Sequence, residues 1–85
     1  MHVMTVSRVH DPSGFDGALK GAYGALPAGS RWILAVAGGD GTTVVNVVEH
    51  GSVEAFRAFL EPRTAPYATT DYVEADAANA VGLPG

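Results

Sequence analysis

Residues 31 to 50 read RWILAVA, then GGDG, then TTVVNVVEH: two apolar runs rich in β-branched residues around three glycines and an aspartate. Glycine and Asp-Gly supply the positive φ angles that a tight hairpin turn requires. The runs are short and punctuated, as strands are. The spacing therefore predicts an antiparallel pair, Arg31 to Ala37 with Thr42 to His50, in the middle of the chain. Trp32, Leu34 and Val36 alternate with Ile33 and Ala35, and Val45 and Val47 alternate with Val44 and Val48. Both faces of the pair are apolar, so both need a cover.

The flanks supply cover for one face. His2 to His10 alternates as a strand, with Met4 and Val6 on one side and Val3, Thr5 and Val9 on the other. Asp11-Pro12 offers an N-cap followed by a proline at the first helical position. Phe15, Leu19, Ala22 or Tyr23, and Leu26 then recur at helical spacing, with Asp16 and Lys20 opposite, until Pro27-Ala28-Gly29 stops the helix. Ser52 caps a second helix with Val53, Phe56 and Leu60 as its stripe and Phe59 beside it, ended by Glu61-Pro62. Arg63 to Thr70 reads as an irregular linker, Asp71 to Ala75 as a last short strand, and residues 76–85 as a tail or an arm laid on a partner. The order is βαββαβ: an α+β, ferredoxin-like domain spanning 1–85, a four-stranded antiparallel sheet with two helices on one face. The other sheet face awaits a partner, most simply a second copy, because a small domain gains buried surface by dimerising.

Composition narrows the function. Hydrophobic residues make up 47% of the 85 and charged ones 16%, which agrees with an apolar surface kept for a partner. The five basic residues, Arg8, Lys20, Arg31, Arg57 and Arg63, are scattered and the net charge is -4, so the basic stripe of a nucleic-acid binder is missing. With no cysteine, disulfides, thiolate metal sites and a cysteine nucleophile are excluded. MHVMTVSRVH lacks a signal-peptide layout and no apolar run approaches ~18 residues, so a cytoplasmic protein with no membrane partner is expected.

On MTVSRV, DPSGF, WILAVAGGDGTTVVNVVEH and SVEAFRAFLEP, covering nearly the whole chain as pattern, the sequence resembles the dimeric α/β-barrel superfamily. The resemblance implies two ferredoxin-like protomers packed sheet to sheet. It also implies a pocket, in the sheet–helix cleft or the barrel interior, for a small aromatic or polyketide-like molecule, a haem or a metal ion; several members of that superfamily act without a cofactor.

Four sets of residues invite a chemical role. GGDGT looks like the phosphate-binding loop of diacylglycerol-kinase-like and NAD-kinase-like enzymes, but Thr42-Thr43-Val44-Val45 favours a strand where those loops need a helix. His2, His10 and His50 are metal-capable, yet their spacing is no ligand pattern; no metal and no cofactor is assigned, although His2 or His10 could approach His50 if the first and third strands are neighbours. Arg8, Asn46 and Tyr72 are polar residues inside apolar strands, so each joins a hydrogen-bond network or a ligand pocket; Asn46, which breaks a valine run, either orients a ligand or bonds across the dimer seam or to a strand end. Trp32 and Tyr67 are the aromatic side chains best placed to line a pocket, Tyr67 at a cleft mouth, whereas Phe15, Phe56 and Phe59 at helical spacing belong to the core. If the protein is catalytic, His10 or His50 serves as base and Asn46 or Tyr72 steadies an oxyanion.

The expectation is a homodimeric protein that binds a small hydrophobic compound, with cofactor-independent isomerase, cyclase or monooxygenase chemistry open to it. Non-catalytic metal binding through the histidines, or an ACT-like regulatory or structural dimer, stands as the alternative.

Overall fold

Asp11 opens the first helix as expected: its carboxylate accepts the Gly14 N–H at 3.1 Å and Pro12 occupies the first turn. The computed structural model describes residues 1–81 and runs β1 (His2–Val9), α1 (Pro12–Gly24), β2 (Arg31–Ala37), β3 (Thr43–Glu49), α2 (Val53–Thr64), β4 (Ala68–Glu74) and a 3-10 turn (Ala77–Asn79). The strands form one antiparallel sheet in the order β2-β3-β1-β4 with both helices on one side, which is the ferredoxin-like βαββαβ arrangement. Of the carboxy-terminal arm, residues 82–85 lie outside the described residues.

The hairpin turn works as its sequence demands. Gly41 has φ +78°, and Asp40 accepts the amide hydrogens of Thr42 and Thr43, both at 2.9 Å, and the Thr43 hydroxyl at 2.7 Å. The bonds from Thr42, then from Thr43, hold the Asp40 carboxyl at about 2, below the usual carboxylate value. The Thr42 and Thr43 amides are thus taken by the chain's own anion.

The register sorts the side chains. Val3, Thr5, Ser7 and Val9 of β1 meet the helices and are buried, while Met4, Val6 and Arg8 point to the open face. Across β3, Val44, Asn46 and Val48 lie on the helix side, and Val45 and Val47 on the open side. The core is Val3, Ala22, Val48, Phe56, Leu60 and Tyr72, with a second cluster at Val9, Phe15 and Ala68.

Three features differ from the sequence reading. A bulge between Trp32 and Leu34 inserts Ile33, so Trp32 turns to the helix side while Leu34 and Val36 stay on the open side. Trp32 thus parts from the two residues it seemed to accompany. α2 does not stop at Pro62 but continues to Thr64, which is buried and bonds the Leu60 carbonyl at 3.3 Å. A proline in the last turn frees only one helix carbonyl, and burial of Thr64 beside Leu60 outweighs that loss. Finally, β4 begins at Ala68, because Thr69 and Thr70 find ladder partners in Arg8 and Ser7, and the Ser7 and Thr70 hydroxyls bond at 2.8 Å.

Candidate functional site

β2 is an edge strand in which no residue is fully buried, and on its helix side it carries small residues, Ala35 and Ala37. α1 runs above it without closing the gap. The result is a groove in two lobes of about 390 and 410 Å³ that share Asp16, Leu19 and Ala35. Tyr23 and Trp32 wall the outer lobe, and Phe15 and Val44 wall the inner one. Volumes of this size belong to small-molecule pockets. Asp16 and Lys20 at the rim pair with each other at 2.9 Å, so their charges cancel and the groove suits a neutral, largely apolar guest.

Trp32 is anchored at the back of the groove. Its ring stands 5.9 Å from Phe56 edge-on and 6.1 Å from Tyr23, and its Nε1–H donates to Asn46 Oδ1 at 3.1 Å. Asn46 is register partner to Ala35 on β2 and to Thr5 on β1, and Thr5 in turn to Tyr72 on β4. Asn46 and Thr5 are fully buried, and Asn46 Nδ2, Thr5 Oγ1 and the Tyr72 hydroxyl have no hydrogen-bond partner. Burial, reinforced by the Glu61 carboxylate, pushes the Tyr72 phenol up, well above its ordinary value.

The structure thus brings together Trp32, Asn46 and Tyr72 and separates the rest. Asn46 faces the helices, so it takes no part in any seam on the open face. The antiparallel register His2↔Glu49 sets His2 and His50 at one end of the sheet and His10 at the other, about 27 Å away at strand rise. It is His2, not His10, that neighbours His50, whose N–H donates to the Met1 carbonyl at 2.9 Å. His50 Nδ1 lies 2.7 Å from the Ser30 hydroxyl and its ring packs on Phe56, tying the start of β2 to the end of β3. Neither His10 nor His50 lines the groove. Among the described residues no group of three metal-capable side chains converges.

Arg8 is exposed on the open face between Thr43 and Thr69, not buried in a strand interior. Tyr67 does not overhang the groove; its ring sits against the first turn of α1, where a Cβ on Gly14 would come within 2.5 Å of it, and its carbonyl accepts the amides of His10 and Asp11. The residues that sequence reasoning missed are Leu19 and Ala35. Alanine at alternate positions of an otherwise bulky strand is the signal for Ala35, and it gains meaning only once α1 is known to pass overhead.

Comparison with known protein families, with characterised proteins and with solved structures finds no match to this chain.

Proposed function

We propose that the chain is a homodimeric binding protein for a small, neutral, hydrophobic compound, held in the groove between α1 and β2. The observation that carries this reading is the groove itself: apolar walls, a self-neutralised rim, and Asn46 with its Nδ2 unpartnered one strand behind Ala35. Binding is favoured over catalysis because neither histidine reaches that space. The second half of the proposal, a dimeric α/β-barrel assembly, is supported by the open face of the sheet. The open face presents Met4, Val6, Leu34, Val36, Val45 and Val73, and Leu34, Val36 and Val73 remain 45–49% exposed in the single chain.

Four strands of this length make a face of about 19 by 24 Å, about 460 Å² in projection, so a sheet-to-sheet contact falls among the smaller protein interfaces. Arg8 and Asp71 lie on that face and neither forms an ion pair among the described residues, so a second copy offers each a partner.

Trp32 is the only tryptophan, so its fluorescence reports the groove alone. Titration with 1-naphthol is expected to change that signal saturably, with one site per chain. Replacement of Ala35 by phenylalanine, which fills the groove floor, is expected to abolish the change. A signal that never saturates, or one indifferent to Ala35→Phe, overturns the reading.

A further inference from the structure

The unpartnered polar groups behind the groove are expensive. A buried donor or acceptor left without a hydrogen bond costs ~1–3 kcal/mol, and valine at position 5 or leucine at position 46 avoids that cost with little change of shape. Asn46 and Thr5 nevertheless sit side by side at 0% exposure with Nδ2 and Oγ1 idle. Trp32 links Asn46 to the outer lobe of the groove. Trp32 presents its ring to the outer lobe and its Nε1–H to Asn46 Oδ1.

The wall facing Trp32 is also soft. α1 carries Gly14, Gly17, Gly21 and Gly24 within thirteen residues, and each glycine weakens a helix by about 1 kcal/mol relative to alanine.

We propose that Trp32 is a gate, and that the compound bound in the groove is a flat aromatic bearing an adjacent hydrogen-bond donor and acceptor, as a lactam or carboxamide does, which replaces the indole on Asn46. This deepens the groove reading and rests on it. With the gate closed, the indole occupies Oδ1 and leaves Nδ2 unused. A lactam offers N–H to Oδ1 and C=O to Nδ2 in a single plane, completing the amide of Asn46 in one encounter. The Thr5 hydroxyl, the register neighbour of Asn46, donates to the same carbonyl. The two remaining orphans nearest the groove are then satisfied together.

The test compares isocarbostyril, a bicyclic lactam, with isoquinoline, which has the same ring system without the carbonyl and N–H. Binding to the full chain is followed by Trp32 fluorescence and by calorimetry. The lactam is expected to bind at least tenfold more tightly, a difference of about 1.4 kcal/mol. In Asn46→Leu that advantage disappears. Trp32→Phe, read by calorimetry, raises the preference for lactam over isoquinoline several-fold, because no indole hydrogen bond has to be displaced. Should Asn46→Leu fail to fold, Thr5→Val and Trp32→Phe decide the matter.

Equal, saturable binding of the two compounds overturns the gate and leaves the groove reading standing. If Trp32→Phe weakens both alike, Trp32 is wall and not gate. Failure of both compounds to bind removes the groove reading, and the gate falls with it.

Discussion

Thr5 and Tyr72 are polar residues set where the fold alone asks for apolar ones. The Thr5 hydroxyl is buried without a partner, so Thr5→Val keeps the shape and removes an unpaid desolvation cost. The variant is expected to be more stable by about 1 kcal/mol, seen as a rise of roughly 4–8 °C in Tm for a domain of this size. A lower Tm would show that the hydroxyl is satisfied after all. Tyr72 makes the opposite kind of statement, about pH. Its phenol ionises well above the ordinary tyrosine value, first because it is buried and then because Glu61 is near. The unfolded chain therefore loses this proton near pH 10 while the folded chain keeps it, so stability is intact below that pH and falls as pH rises beyond it. Denaturant midpoints at pH 9 and pH 11 are expected to separate more for the native chain than for Tyr72→Phe; equal separations would exclude Tyr72 as the cause.

At the scale of elements, α1 is the least secure piece of the fold. Its glycines do not share one purpose. Gly14 is required by space: a Cβ there meets the Tyr67 ring at 2.5 Å and the Asp11 carboxylate at 2.9 Å, whereas Gly17 and Gly21 face nothing within 4 Å. Gly14→Ala is accordingly expected to destabilise the protein by about 1–3 kcal/mol through overpacking, despite its better helix propensity. Gly17→Ala and Gly21→Ala are each expected to stabilise it by about 0.5–1 kcal/mol. Chemical denaturation of the three variants checks the order, and a destabilising Gly17→Ala would reveal a contact on the outer face of α1. The hairpin is the reverse case, an element whose turn chemistry, anchored by Asp40, is sufficient in itself.

For the whole molecule, the unanswered demand is the open face of the sheet. Within one chain the helices bury Val3, Val48 and Phe56, and nothing covers Val36 or Leu34. Among the described residues no helix is long and apolar enough to cross a membrane. Val45 lies at the centre of it, between Val36 and Val6. Val45→Lys is expected to convert a dimer into a monomer, read by sedimentation velocity, without loss of helical circular dichroism, because the position lies outside the helix-side core. A native chain that sediments as a monomer at high concentration removes the dimer half of the proposed function and leaves the groove untouched.

Local chemistry was enough to write most of this fold into the sequence. The GGDG turn, the Asp11 and Ser52 caps and the two alternating valine strands each act over a few residues, so their structure follows from residue type and spacing. The limits appear where a distant neighbour decides. Pro62 ends a helix on local grounds, and only the burial of Thr64 carries α2 past it. Thr69 and Thr70 become strand only because β1 has free hydrogen-bonding groups to offer them. The bulge at Ile33 turns Trp32 from one sheet face to the other, and no pattern of alternation shows it. The candidate site divides in the same way. Trp32, Asn46 and Tyr72 were visible as polar or aromatic interruptions of apolar strands, because such residues are costly to bury and stand out wherever they occur. That they share the helix side, that the histidines are parted by an antiparallel register, and that Ala35 leaves a groove beneath α1 were settled by tertiary structure, since each depends on which strand lies next to which.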